Sequence, residues 1–236
     1  MVAFINDDPK KRRGHWWDKE FGIVDFSFTK ASGDASAHYS ELQKKLKETD
    51  LGPDSIKVEY ESPVAGARIR PDGQEIKWEV TFPKVTTGYQ RGELPFFTQD
   101  ITPRSLRAPF SEESVTHPSS ALGVKCLSNF IQEGKIAALS EAYSVILGVP
   151  STAAQTTSQT ESTFEVRLLN EVDGLHKAKL LLKTPNGSQF EEARRRGGSL
   201  LGDLTFGIPA ALGGTKVPRR IDVGEQGVGG VYLDVY

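Results

Sequence analysis

Apolar and polar positions alternate over Gly22–Thr29, GIVDFSFT. Val24, Phe26 and Phe28 fall on one side and Asp25, Ser27 and Thr29 on the other. A period of two predicts a half-buried strand with an acid on its polar face. The period then changes. Tyr39, Leu42 and Leu46 recur at i, i+3 and i+7, the apolar stripe of a helix. Asp34 or Ser36 can cap that helix, and Gly52-Pro53 can stop it. Strands resume with a weak alternation over Ile56–Tyr60. Ala67–Arg70 then runs through Pro71-Asp72-Gly73 into Glu75–Phe82, where Ile76, Trp78, Val80 and Phe82 share one face. Proline presets φ and glycine takes a positive φ, so this is a hairpin signal. Leu94–Asp100 is the next strand, and Val2–Ile5 reads as a short strand near the start of the chain.

Beyond His117 the order restarts. Leu122–Phe130 is strand-like. Ile136, Leu139, Tyr143 and Ile146 mark an amphipathic helix that Gly148 and Pro150 end. The Ser/Thr/Gln-rich tract Ser151–Ser162 predicts a loop. Thr163–Leu169 and Leu175–Lys183 predict strands, and Ser199–Ile208 and Val231–Tyr236 are further strand candidates. The strand–helix–strands order thus occurs twice, beginning about 100 residues apart, and a duplicated βαβββ unit is the simplest account. The expected fold is α+β, with repeated βαβββ modules forming a cup-like mixed or antiparallel sheet and helices on the convex face. The expected divisions are 1–21, a remnant strand and loop; 22–109, a βαβββ module; and 110–236, a second βαβββ-like module.

Composition narrows the function classes. A chain of 236 residues with net charge −2 and 37% hydrophobic residues can bury a sizeable core. It carries no excess of positive charge that would point to nucleic acid. The one cysteine, Cys126, excludes an internal disulfide. No apolar run approaches the ~20 residues needed to span a bilayer, so the expectation is a cytoplasmic protein with no membrane and no nucleic-acid partner. Gly-x-Ser-x-Gly is absent. The glycine-rich stretch Gly224–Gly230 lacks the lysine and Ser/Thr of a phosphate loop and reads as a flexible connection.

Three segments carry a resemblance. ARIRPDGQEIKWEVTFP (Ala67–Pro83), LPFFTQDITPRSLRAP (Leu94–Pro109) and HPSSALGV (His117–Val124) resemble, in order, motifs of the glyoxalase-like family within the vicinal oxygen chelate superfamily. The match covers roughly Val2 to Val149. It implies βαβββ modules paired into an open cup, with the site on the concave face and, in the parent superfamily, a divalent metal there. It also implies a parent activity of lyase, isomerase or oxygenase type. Family members begin with a complete module, and MVAFI resembles the tail of that module's last strand. The resemblance therefore implies that a histidine-bearing strand, its helix and a glutamate-bearing strand lie upstream of Met1. Asp25 stands where a metal-binding histidine of the next strand is expected, so the metal set is not carried over and no metal ligand or cofactor is assigned.

Parity places the candidate site. If Val24, Phe26 and Phe28 face the helix, Asp25 and Ser27 face the cup. If Ile69 is buried, Arg68 and Arg70 face it too. Guanidinium forks recognise carboxylates, or these two arginines pair structurally with Asp25, Glu79 or Asp72. On the next strand parity does not choose between Phe96 and Phe97; we take Phe97 and Gln99 as cup-facing. Arg104 is a rim donor or a loop anchor. His117 is a weak candidate for a ligand or general base, or else a loop hydrogen-bonder. The expected substrate-binding set is Asp25, Ser27, Arg68, Arg70, Phe97, Gln99 and Arg104. The expected function is handling of a small oxygen-rich or acidic molecule. The alternatives are a non-catalytic binding protein or a shortened, oligomer-dependent fragment, and a homodimer is a possible assembly.

Overall fold

The computed structural model describes residues 8–13, 22–30, 33–49, 57–84, 89–155, 160–172, 175–209, 218–222 and 229–235. The strand expected at Val2–Ile5 and the stop at Gly52-Pro53 lie outside them. The first unit runs β1 (Ser27–Thr29), α2 (Ala35–Glu48), β2 (Val64–Ile69), β3 (Glu75–Thr81) and β4 (Phe96–Asp100), after a single turn, α1 (Pro9–Arg12). Its sheet has the order β1-β4-β3-β2, with β1 parallel to β4 and the other pairs antiparallel. Asp34 caps α2 by accepting the Ala37 N–H at 2.7 Å, which satisfies one of the free amide donors of the first turn. Leu42 and Leu46 are buried and Tyr39 packs beside them, as the stripe predicts. The β2–β3 hairpin turns at Gly73, whose φ of +83° favours glycine, and Arg70 donates its N–H to Gln74 across it.

Two short helices, α3 (Arg104–Arg107) and α4 (Glu112–Val115), lead to the second unit. It repeats the order: β5 (Gly123–Ile131), α5 (Glu133–Leu147), β6 (Thr152–Gln155), β7 (Thr160–Val172) and β8 (Leu175–Lys183). Gly148, at φ +66°, ends α5 in the left-handed conformation. The tract expected to be a loop instead contributes β6 and the start of β7, because Thr152–Gln155 pairs with Thr160–Thr163 across a short connection. The repeat closes at Lys183. Then α6 (Gly187–Arg195), β9 (Ser199–Ile208), β10 (Arg219–Arg220) and β11 (Val231–Val235) extend the sheet on the other side of β5, giving β10-β11-β9-β5-β8-β7-β6.

One core joins the units. Phe97 and Tyr60 from the first and Tyr143, Phe164, Leu180 and Leu182 from the second belong to a single buried cluster, and α2 packs against α5. Several polar groups inside it are paired with backbone. The Tyr60 hydroxyl donates to the Pro95 carbonyl at 2.9 Å, the Tyr143 hydroxyl to that of Glu93 at 2.6 Å, and Gln43 of α2 clamps both backbone groups of Tyr60. The Glu93 carboxylate is itself buried and paired with Lys135 at 3.0 Å. Each sheet therefore turns one face to this core and leaves the other available. Among the described residues, no helix is long and apolar enough to cross a membrane.

Candidate ligand-binding site

The open face of the first sheet differs from the parity expectation. Phe97 is in the core, edge-on to His38 of α2 at 4.7 Å and against Tyr60. Gln99 points the same way and donates to the Gly33 carbonyl ahead of α2. Phe96, Thr98 and Asp100 hold the opposite face, next to Val80 and Trp78 by register. Two adjacent phenylalanines look alike to a period of two, and only contact with α2 decides between them. Asp25 is also turned inward. Its side chain is 4% exposed and pairs with Arg91 at 3.4 Å, close enough to the core to push the Tyr60 and Tyr143 hydroxyls up after the larger effect of burial. Strand geometry begins only at Ser27, and Ile23 bridges to Leu201 of β9, so alternation does not extend back to Asp25. Ile69, expected to be buried, is 74% exposed.

The remaining candidates do not converge. Arg70 donates to the Leu106 carbonyl at 3.0 Å and pairs with Asp72, which is the structural reading of that arginine. Arg104 and Arg107 both hold Asp100, and Arg104 also reaches Thr29. Burial would raise the Asp100 carboxyl, but the hydrogen bonds from Arg107 and then Arg104 outweigh it and hold the group below its ordinary value. His117 is exposed and tied into its own turn, its Nδ1 accepting the Ser119 N–H at 3.1 Å. Arg68 and Ser27 are exposed on the sheet.

The second sheet offers a concavity of about 790 Å³ on the face turned away from the core. Its construction follows from parity along β8: Leu180 and Leu182 enter the core, so Lys177, Lys179, Leu181 and Lys183 face out. Neighbouring β5 contributes Cys126 and Ser128, which register against Lys179 and Leu181. On the far side β9 adds Asp203 and Thr205, and β11 adds Tyr232 and Asp234. Further along β5 and β9, α6 seats Ala193 on Phe130 and Leu200. A smaller cleft of about 240 Å³ lies at the seam between the units, but its arginines are engaged, Arg91 by Asp25 and Arg195 and Arg196 by Glu192. Burial pulls Arg91 down to about 10, against the opposing pull of Asp25.

Charge in the larger concavity is mostly cancelled pairwise. Lys125 holds Asp234, Lys177 holds Glu165 at 2.7 Å, and Lys183 reaches Glu161 at 3.4 Å. Lys179 and Asp203 form no ion pair among the described residues. Between their strands lies Ser128, whose residue is 1% exposed and whose hydroxyl has no hydrogen-bond partner. A buried hydroxyl without a partner is costly, and one facing a cavity is a place for a ligand or water oxygen. Burial pushes the Cys126 thiol up to about 11, so it is a neutral wall and not a thiolate nucleophile.

None of these concavity residues was singled out as a site from the sequence, although the signal exists: lysines at 177, 179 and 183 alternate with Ala178, Leu180 and Leu182. The divalent metal that the resemblance implies would need oxygen and imidazole ligands converging on one point. Among the described residues, no group of three or more histidine, cysteine, aspartate or glutamate side chains converges to hold a metal. Most carboxylates of the concavity are already bound to lysines. The described residues do not fit that metal.

Comparison with known proteins bears on the first unit more than on this concavity. A family model described as glyoxalase-like domain matches residues 2–147, ending with α5. A search of curated proteins gave no match. Among solved structures, a hypothetical protein from Staphylococcus aureus superposes with a TM-score of 0.52 at 10% identity, covering 90% of this chain and 66% of that one. A triple mutant of 4-hydroxymandelate synthase from Streptomyces coelicolor aligns at 12% identity over 79% of this chain and 50% of that one, with a TM-score of 0.37. The chain thus spans two thirds or less of the length of either.

Proposed function

Because the chain belongs to the glyoxalase-like domain family of the vicinal oxygen chelate superfamily, we propose that it binds a small, oxygen-rich acidic molecule in the concavity of its second unit. The observation that carries this reading is the juxtaposition of Lys179, without an ion pair among the described residues, and the buried, unpartnered Ser128 hydroxyl in a space of about 790 Å³. That volume suits a small-molecule site. Ser128 and Lys179 line the same face on neighbouring strands, one diagonal step apart in register, and an ammonium and a hydroxyl on one face suit a carboxylate or phosphate oxygen pair. The three lysine–carboxylate pairs fix the walls and leave charge for one anionic group. In this reading the chain is a ligand-binding protein whose recognition runs through its own side chains.

A second reading, a metal-independent lyase or isomerase acting on the same class of molecule, is favoured by one observation. Asp203 holds a carboxyl in the concavity that burial raises above its ordinary value, which suits proton transfer.

The binding reading is tested by titrating ¹⁵N-labelled protein with malonate and with citrate while following backbone amides. Saturable shifts centred on residues 126–128 and 177–183, abolished in Leu181→Trp, are expected. Shifts centred on Arg68 and Arg70, or none, would contradict it.

A further inference from the structure

Asp203 occupies an unusual position in β9. Its φ is +48°, one of two positive values among described non-glycine residues, in the middle of a strand. There the β5–β9 register slips between Val124 and Cys126 and slips back between Cys126 and Ser128, so a bulge on β5 is offset by one on β9 beside Asp203. Such bulges re-aim a side chain at a local cost in strain. Here a half-buried carboxyl lines the concavity, where burial raises it against the attraction of Lys183 and a hydrogen bond from the Gly230 backbone.

From this geometry we infer that Asp203 is a proton-coupled ligand group, taking up a proton from solvent when an anion enters between it and Lys179. The inference rests on the binding reading above and adds to it what the ligand must do to the protein. Asp203 lies on β9 and Lys179 on β8, two strand steps apart across β5, roughly 10 Å between backbones at about 4.8 Å per step. A small anion seated on Lys179 and Ser128 therefore lies beside the Asp203 carboxyl. An ionised Asp203 repels it; a protonated Asp203 donates its O–H to an anion oxygen. The balance is one proton gained by the carboxylate from water, with no other bond made or broken.

The groups facing Asp203 do not supply the same behaviour. From β8, Lys183 attracts its charge most strongly, and Lys179 lines the same wall of the concavity. From β7, Glu165 is held low by its hydrogen bond to Lys177, and Glu161 is paired with Lys183. From β5, Cys126 stays protonated to about 11, and Lys125 is bound to Asp234 of β11. Burial also raises Tyr232 of β11. Arg220 of β10 is held protonated by Asp222. Asp203 is the one acid of this set that burial raises while no side chain binds it among the described residues.

The probe is inorganic sulfate, which does not titrate between pH 5 and 8, measured by calorimetry on the full chain at constant ionic strength in two buffers of different ionisation enthalpy. Sulfate affinity is expected to fall at least tenfold from pH 5 to pH 8, with net proton uptake on binding. Asp203→Asn keeps a residue type that tolerates positive φ and folds; it should bind sulfate equally at both pH values with no proton uptake. Lys179→Ala should lose binding. Binding lost in Lys179→Ala but with the same pH dependence in wild type and Asp203→Asn would overturn the inference and leave the binding site standing. Sulfate that binds without saturation, or unchanged in Lys179→Ala, would remove both.

Discussion

Asp203 sits with its carboxyl desolvated and opposed by few hydrogen bonds, and the consequence reaches stability as well as binding. Burial raises its folded pKa above the unfolded value. The folded state therefore holds the proton more tightly. Stability is intact below the unfolded pKa, then declines as pH rises and the unfolded chain ionises first, with the full loss reached above the folded pKa. Asp203→Asn should melt higher than wild type at pH 8, and the difference should vanish near pH 3, as read by thermal denaturation across that range. Equal melting at both pH values would show that the carboxyl is solvated. Cys126 obeys the same physics. Its alkylation rate by iodoacetamide should stay low at pH 8 and rise towards about 11. A rate at pH 8 typical of a free thiol would place it outside the protein interior. At this scale the sequence was a partial guide. It marked Asp25 and Phe97 as site residues from alternation, and both are turned inward, because one precedes the strand and the other is chosen by contact with His38 and Tyr60. The irregular pairing beside Asp203 has only a weak residue signature, an aspartate that tolerates positive φ directly after Gly202.

Among the elements, the repeated strand–helix–strands order was legible because the helix stripes Tyr39-Leu42-Leu46 and Ile136-Leu139-Tyr143-Ile146 are regular and capped. Less legible was which sheet face each strand turns to solvent. Ile76, Trp78 and Val80 share a face opposite Phe97, and their alternation alone does not say which face meets the core. The edge strand β6 was hidden in a polar tract, where pairing with β7 overrides low local propensity. The elements after Lys183 form the far wall of the concavity, and their fit against β9 depends on two glycines. A Cβ on Gly202 would lie 2.8 Å from the Gly229 Cα, a backbone atom with little room to yield. Gly202→Ala should cost about 1–3 kcal/mol by overpacking and loosen β11, seen as faster amide exchange in Val231–Val235. Unchanged exchange there would mean that β11 is held by its pairing alone.

Across the whole molecule, the shared core between α2 and α5 makes the two βαβββ units mutually dependent, since neither buries its apolar face without the other. Calorimetry should show one cooperative unfolding transition with calorimetric and van't Hoff enthalpies in agreement; two separated transitions would mean the units fold independently. This arrangement keeps both open faces away from the core and lets them diverge. The first carries Trp78, Val80 and Phe96 beside Asp100 held by arginines; the second carries the lysine row and Asp203. The family match lies mainly on the first, while most of the concavity's lining follows residue 147. The deciding question is which of the two faces takes a ligand. The direct measurement is crystallographic screening of the full chain against small carboxylates and phosphates. The predicted result is density seated between Lys179 and Ser128 with the Asp203 carboxyl against it. Density on the Trp78 face of the first sheet, with the second concavity holding only water, would contradict it.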